Sequence, residues 1–137
     1  LSGHSEGDLA ILDVATGTLI AGDLVFHDRA PATPHAEFAQ WQAALARLEG
    51  TAHRQCVPGH GPLCRTGAAI AQTRDWLGWL ETSLREAVAG GLDMAEAANL
   101  PIPERFSAMA TARYELTRSV AHFYPRLEAE LFPRIDG

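Results

Sequence analysis

The spacing of apolar residues changes once along the chain. Up to about Cys64 they come in short runs broken by glycines, and beyond it they recur every three or four positions. Asp8 to Val14 carries apolar residues over a strand length, Ala15-Thr16-Gly17 turns the chain, and Thr18 to Phe26 reads as the returning strand of a hairpin. Pro31, Pro34 and the polar residues between them make a loop. Thr33 followed by Pro34 is a helix start, since proline at the first helical position forfeits no hydrogen bond. The helix predicted from Pro34 to Leu48 lines up Phe38, Trp41, Leu45 and Leu48 on one face, and Gly50 ends it. His53 to Val57 then forms a short strand leading into Pro58.

Thr66 is placed to cap a long helix running to about Ala89, with Ile70, Thr73, Leu77, Leu80 and Leu84 on one face and Gly90-Gly91 as the stop. Asp93 and Glu96 have the spacing of a capping box for a short helix ending before Pro101. A last helical region is predicted from near Pro103 to about Leu131, kinked or broken at Pro125. The expectation is a mixed α/β chain in two segments, a sheet-and-helix segment over residues 1–64 and a helical extension over 65–137 packed on the same domain. So small a sheet cannot bury both faces with these helices alone. The other face or edge is expected to meet a missing part of a larger parent, or a second copy in a homodimer.

Composition narrows the partners. The chain has 137 residues, a net charge of −6 and no lysine, all 11 basic residues being arginine. That balance argues against a nucleic-acid partner, which needs a concentrated basic face. No run approaches the roughly 18 apolar residues that span a bilayer, and no signal peptide is present. The chain opens on Leu1 without an initiator methionine, so it is expected to be a fragment. Cys56 and Cys64 flank Pro58-Gly59-His60-Gly61 and could close a short loop, although two cysteines in a chain this size are more often unpaired.

Three segments have the residues a metal site needs, namely imidazole or carboxylate on backbone that does not move. Gly3-His4-Ser5-Glu6-Gly7-Asp8 sets a histidine between glycines just before a strand. Ala21-Gly22-Asp23 puts a carboxylate near the end of the next strand. Val57-Pro58-Gly59-His60-Gly61-Pro62 holds a histidine in a turn made rigid by two prolines. Singly, each has an ordinary reading as a turn histidine or a capping carboxylate; in this order they require three coincidences.

Together, Gly-His-Ser-x-Gly-Asp, Ala-Gly-Asp-x-x-Phe and Val-Pro-Gly-His-Gly resemble the third, fourth and fifth ligand motifs of the metallo-β-lactamase superfamily, over roughly the first 62 residues. The resemblance implies the C-terminal portion of an αββα sandwich, and a zinc-dependent parent that hydrolyses an ester, thioester or lactam-like bond of a small-molecule substrate with a metal-bound hydroxide. It makes His4 a ligand of a first zinc, Asp23 the carboxylate bridging two zincs, and His60 a ligand of the second. The His-x-His-x-Asp-His segment that completes both sites is absent from this sequence, so the fragment is expected to bind metal weakly or not at all and to be inactive.

The tail, with Arg74-Asp75-Trp76-Leu77, Arg85 to Asp93, Glu115 to Val120 and Phe123 to Glu128, is similar to that of quinoprotein relay system and SoxH-like metallohydrolases, which implies a periplasmic parent. Two rival readings share these residues: a non-catalytic interaction module for a periplasmic redox system, and an iron-dependent redox or sulfur enzyme on the same ligands. His27 and Asp28 are candidates for the mouth of a substrate pocket, against a plainer reading as solvent-facing loop residues. His35, in a first helical turn, and His53 and His122 read as structural; Trp41, Trp76, Trp79, Phe123 and Tyr124 as core or helix-interface aromatics. Glu115 and Arg118 could pair in the interior or on the surface.

Overall fold

The computed structural model describes residues 1–132, so the last five residues of the predicted 65–137 segment lie outside the described residues. Strands β1 (Ile11–Asp13), β2 (Thr18–Phe26) and β3 (Gln55–His60) form one mixed sheet in the order β1-β2-β3. The β1–β2 hairpin is antiparallel, and β3 returns parallel to β2 after helix α1 (Phe38–Glu49). Helices α2 (Ala68–Ala89), α3 (Met94–Ala98) and α4 (Ala112–Leu131) follow, with a short 3₁₀ turn at Glu104–Phe106. This is the small sheet with a helical tail that the sequence predicts.

One apolar cluster runs through both halves, from Leu19, Leu24 and Phe26 of β2 to Trp76 and Leu77 of α2 and Leu116 and Tyr124 of α4. α1 and α2 cover one face of β2, and α4 packs on α2. The opposite face of the sheet is bare: Ile11, Ile20 and Val57 are register partners across the three strands, and all three are exposed. Leu9 and Val14, on either side of β1, are exposed as well. With so few apolar side chains buried, the predicted strand from Asp8 to Val14 shrinks to the three residues of β1.

The element boundaries follow the sequence signals with a few departures. The predicted start of α1 at Pro34 is overturned, because Thr33 is fully buried and its hydroxyl is taken up by Ser119 Oγ at 2.7 Å and His122 Nδ1 at 3.2 Å. Pro34 and His35 therefore lie in a turn, and the helix begins four residues later. Pro58, Gly59 and His60 continue β3 instead of forming a turn after it. The expected break at Pro125 is also absent. Pro125 sits within an unbroken α4, whose neighbours Phe123, Tyr124 and Leu127 are buried, so packing outweighs the lost backbone hydrogen bond. The interruption falls earlier, at Thr111, which takes left-handed backbone with φ 62° ahead of α4.

Elsewhere the signals hold. Phe38, Trp41, Leu45 and Leu48 are buried in α1, as are Ile70, Thr73, Leu77, Leu80 and Leu84 in α2. Asp93 with Glu96 forms the capping box of α3. The expected cap of α2 shifts by one residue: Gly67 is the N-cap, without a side-chain hydrogen bond, and Thr66 Oγ1 just before it accepts from Ala68 N–H at 3.1 Å. Cys56 and Cys64 are free thiols.

His122 gives the fold a pH dependence. Burial, followed by the nearby charges of Arg118 and His35, pushes its imidazole below its ordinary value of 6.5. The unfolded chain thus takes up this proton at a higher pH than the folded one, which favours unfolding in acid. Stability should be fully present above pH 6.5 and decline as pH falls through the lowered folded value; His122→Gln should flatten that decline in urea titrations across the range.

Candidate functional site

The His4 loop is fixed at both ends. Asp8 accepts from Ser5 N–H at 2.9 Å and from Ser5 Oγ at 3.0 Å, and Glu37 N–H donates to the Gly3 carbonyl at 3.2 Å. Gly3 lies flat on Trp41, where a Cβ would stand 2.8 Å from both Cα and Cγ of the tryptophan. This close approach seats the His4 ring edge-on to Trp41, with centroids 5.5 Å apart, and within 5.8 Å of Phe26. Trp41 is itself pinned, its indole N–H donating to the Leu24 carbonyl at 2.8 Å.

Asp23 owes its position to an irregularity in β2. Between the register pairs Gly22↔Pro58 and Phe26↔His60, β2 advances four residues while β3 advances two, so Asp23 has no partner in the ladder. Such bulges re-aim side chains. Gly22, with φ 56°, supplies the backbone turn. The carboxylate then passes over Gly59, where a Cβ would be only 2.3 Å from Asp23 Oδ1 and 2.7 Å from the Gly22 carbonyl.

His60 ends β3 and stacks on Phe26, with centroids 4.9 Å apart and ring planes 17° from parallel. Its carbonyl accepts from His27 N–H at 2.9 Å, and His27 Nδ1 lies 2.8 Å from the Pro62 carbonyl. Gly61, at φ 96°, lets the chain pass His27 so closely that any Cβ would sit 1.8 Å from its carbonyl oxygen.

These three elements bring the three predicted residues together. Asp23 Oδ2 lies 4.0 Å from His4 Nδ1, and Asp23 Oδ1 lies 3.4 Å from His60 Nε2. The carboxylate thus stands between two imidazoles and turns a different oxygen to each. Among the described residues, no three His, Cys, Asp or Glu side chains are arranged to hold one common ion. The donor chemistry nevertheless suits zinc two atoms at a time. Neighbouring ligand atoms around a tetrahedral zinc, bound at about 2.0–2.1 Å, stand about 3.3–3.4 Å apart, close to the Asp23–His60 spacing. Asp23 and His60 are nearly half exposed, at 45% and 48%, so this corner is open to solvent.

The other predicted positions sort by their partners. His27 and Asp28 adjoin His60, with 3.7 Å between His27 Nε2 and Asp28 Oδ2, and both are engaged in holding loops. Asp28, in left-handed backbone, donates its N–H to Gln72 Oε1 at 2.7 Å, and its carbonyl accepts from Ala110 N–H at 2.9 Å. His53 Nδ1 lies 2.7 Å from the Thr51 carbonyl. Glu115 is buried, with Oε1 3.2 Å from Arg118 and Oε2 unpartnered. The sequence reads Trp41 as a core or helix-interface aromatic and Gly59 only as one of two glycines that make the turn permissive. The signal for Gly59 lay in Pro-Gly-His, where glycine precedes the histidine, but its close contact with Asp23 joins positions 36 residues apart.

No protein-family model matches the chain, and no curated protein does. Among solved structures, a metallo-β-lactamase from Pontibacter korlensis superposes with a TM-score of 0.52 at 24% identity, over 56% of this chain and 38% of that one. A crystal structure of the DIM-1 metallo-β-lactamase exposed to ceftazidime gives a TM-score of 0.47 at 21% identity, over 56% of this chain and 37% of that one. At this identity the first likeness concerns the fold alone: a small mixed sheet followed by helices, as in part of an α/β metallo-β-lactamase sandwich. The chain spans well under half the length of either protein.

Proposed function

We propose that this chain is the C-terminal part of a zinc-dependent hydrolase of the metallo-β-lactamase superfamily, with His4, Asp23 and His60 as metal ligands. The observation that carries the reading is the Asp23 carboxylate, set between two imidazoles with one oxygen toward each. A bridging carboxylate needs this disposition, whereas a simple ion pair would close to one partner at hydrogen-bond distance. Zinc, when bound, supplies Lewis acidity toward a substrate carbonyl and lowers the pKa of a water.

The chain's own residues position the donors. Trp41 and the Ser5–Asp8 pair hold the His4 ring, Phe26 holds His60, and Gly59 leaves room for the carboxylate. Each half of the site then has one imidazole and one carboxylate oxygen, two of the four donors that zinc ordinarily takes. The remaining donors would come from a His-x-His-x-Asp-His segment elsewhere in the parent, packed against the bare Ile11–Ile20–Val57 face. In its absence that face would pair two copies of this chain, and metal binding would be weak. By the resemblance of the tail, the parent is a SoxH-like or quinoprotein relay enzyme working in the periplasm on a small molecule with an ester, thioester or lactam-like bond. His27 and Asp28 would edge its pocket.

The test is metal analysis and hydrolysis by the full-length parent, with and without Asp23→Asn. Two zinc ions per chain are expected, with the rate falling roughly 100-fold or more in the variant. Iron in place of zinc would shift the reading to redox or sulfur chemistry. An unchanged rate in the variant, or a parent without metal, would remove the hydrolase reading.

A further inference from the structure

Outside the candidate site, the molecule's other concentrated chemistry is its pair of thiols. Cys56 in β3 and Cys64 ahead of α2 face each other across an isolated antiparallel bridge, Cys56 N–H donating to the Cys64 carbonyl at 2.7 Å and Cys64 N–H to the Cys56 carbonyl at 3.0 Å. A pair exchanging both hydrogen bonds has Cα atoms about 5.5 Å apart. Disulfides most often span about 5.5–6 Å. We propose that Cys56 and Cys64 are a redox-active dithiol, a modification site for low-molecular-weight disulfides at which Cys64 attacks and Cys56 resolves.

The two thiols differ as those roles require. Cys56 is fully buried in the strand. Burial, with the neighbouring Cys64 adding to it, pushes its thiol up to about 11. Cys64 is covered itself but lies in a stretch, 61–68, whose other residues are exposed. Burial raises its thiol too, yet the Thr66 hydroxyl and the backbone N–H groups of Thr66, Ala69 and Ala68, at the start of α2, together bring it below the usual value. The thiolate is the attacking species in thiol–disulfide exchange, so Cys64 is the better nucleophile. The two hydrogen bonds of the bridge and the contact of His27 Nδ1 with the Pro62 carbonyl must open for the 61–68 stretch to lift and present it.

The exchange balances in two steps. Cys64 Sγ, as thiolate, attacks one sulfur of glutathione disulfide; a protein–glutathione S–S bond forms, the glutathione S–S bond breaks, and the departing thiolate takes a proton from solvent. The bridge then re-forms, Cys56 loses its proton to solvent and attacks Cys64 Sγ, and the second glutathione leaves as thiol. The products are one Cys56–Cys64 disulfide and two glutathione molecules. His60, four residues from either cysteine, then sits inside the closed ring. The thiol chemistry does not rest on the metal reading.

The test is incubation of the reduced full chain with glutathione disulfide at neutral pH, acid quenching, and mass spectrometry of the intact and digested protein. Wild type should lose the mass of two hydrogen atoms and yield a Cys56–Cys64 cross-link without forming dimers. Cys56→Ser should stop with glutathione on Cys64, and Cys64→Ser should lose its remaining thiol roughly 10-fold or more slowly. Thiols that stay free in folded wild type, under conditions that oxidise the urea-unfolded chain, would overturn the proposal whatever the variants' stability. So would glutathione accumulating on Cys56 in Cys64→Ser at the wild-type rate.

Discussion

Alanine at position 59 should destabilise the chain by about 3 kcal/mol, the upper part of the usual range for overpacking, and should displace Asp23 at the same time. The added methyl would meet Asp23 Oδ1 at 2.3 Å and the Gly22 carbonyl carbon and oxygen at 2.7 Å, and the latter are backbone atoms that cannot rotate aside. Strand β3 would have to move away from β2, or the carboxylate swing out of its place between the imidazoles. Gly7→Ala is the matched control, since nothing lies within 4 Å of its Cβ. Its stability should stay within about 0.5 kcal/mol of wild type. Urea denaturation of both variants reads the difference directly, and a Gly59→Ala chain as stable as the control would refute the contact.

Trp41→Ala should be worse, at about 4 kcal/mol, within the range for deleting a buried tryptophan. The side chain is fully buried, and its loss leaves both a cavity and an unpaired Leu24 carbonyl. Trp41 also links the core to the site, because Gly3 rests on its backbone and ring and His4 packs against its edge. Trp41→Phe restores most of the volume without the N–H donor. It should recover more than half of the lost stability in the same urea titration, while the His4 ring resonances stay shifted from wild type. Full recovery of both would make the Leu24 hydrogen bond irrelevant to the placement of His4.

The two variants mark where sequence reading succeeds and stops. Helical faces such as Ile70, Thr73, Leu77, Leu80 and Leu84 were legible because burial on a helix repeats with the turn, and all five are buried. The box at Asp93 and Glu96 was legible because its partners lie within one turn. The start of α1 was not, because the hydroxyl that should have capped it is held by Ser119 and His122, nearly ninety residues away. Pro125 misled for the same reason, local propensity yielding to the packing of Phe123, Tyr124 and Leu127. His4, Asp23 and His60 were found through motifs, and their separations along the chain say nothing of distance in space. What brings them together is a bulge in β2 and three glycines, Gly3, Gly22 and Gly59, whose value lies in the side chain they lack.

Histidine-ring resonances of this chain, followed by NMR during zinc titration of wild type and Asp23→Asn, test most directly whether Asp23 serves both imidazoles. His4 and His60 should move over the same range of zinc concentration in wild type, and both responses should weaken together in the variant. If only one ring responds, or both respond undiminished without the carboxylate, Asp23 does not join the two halves.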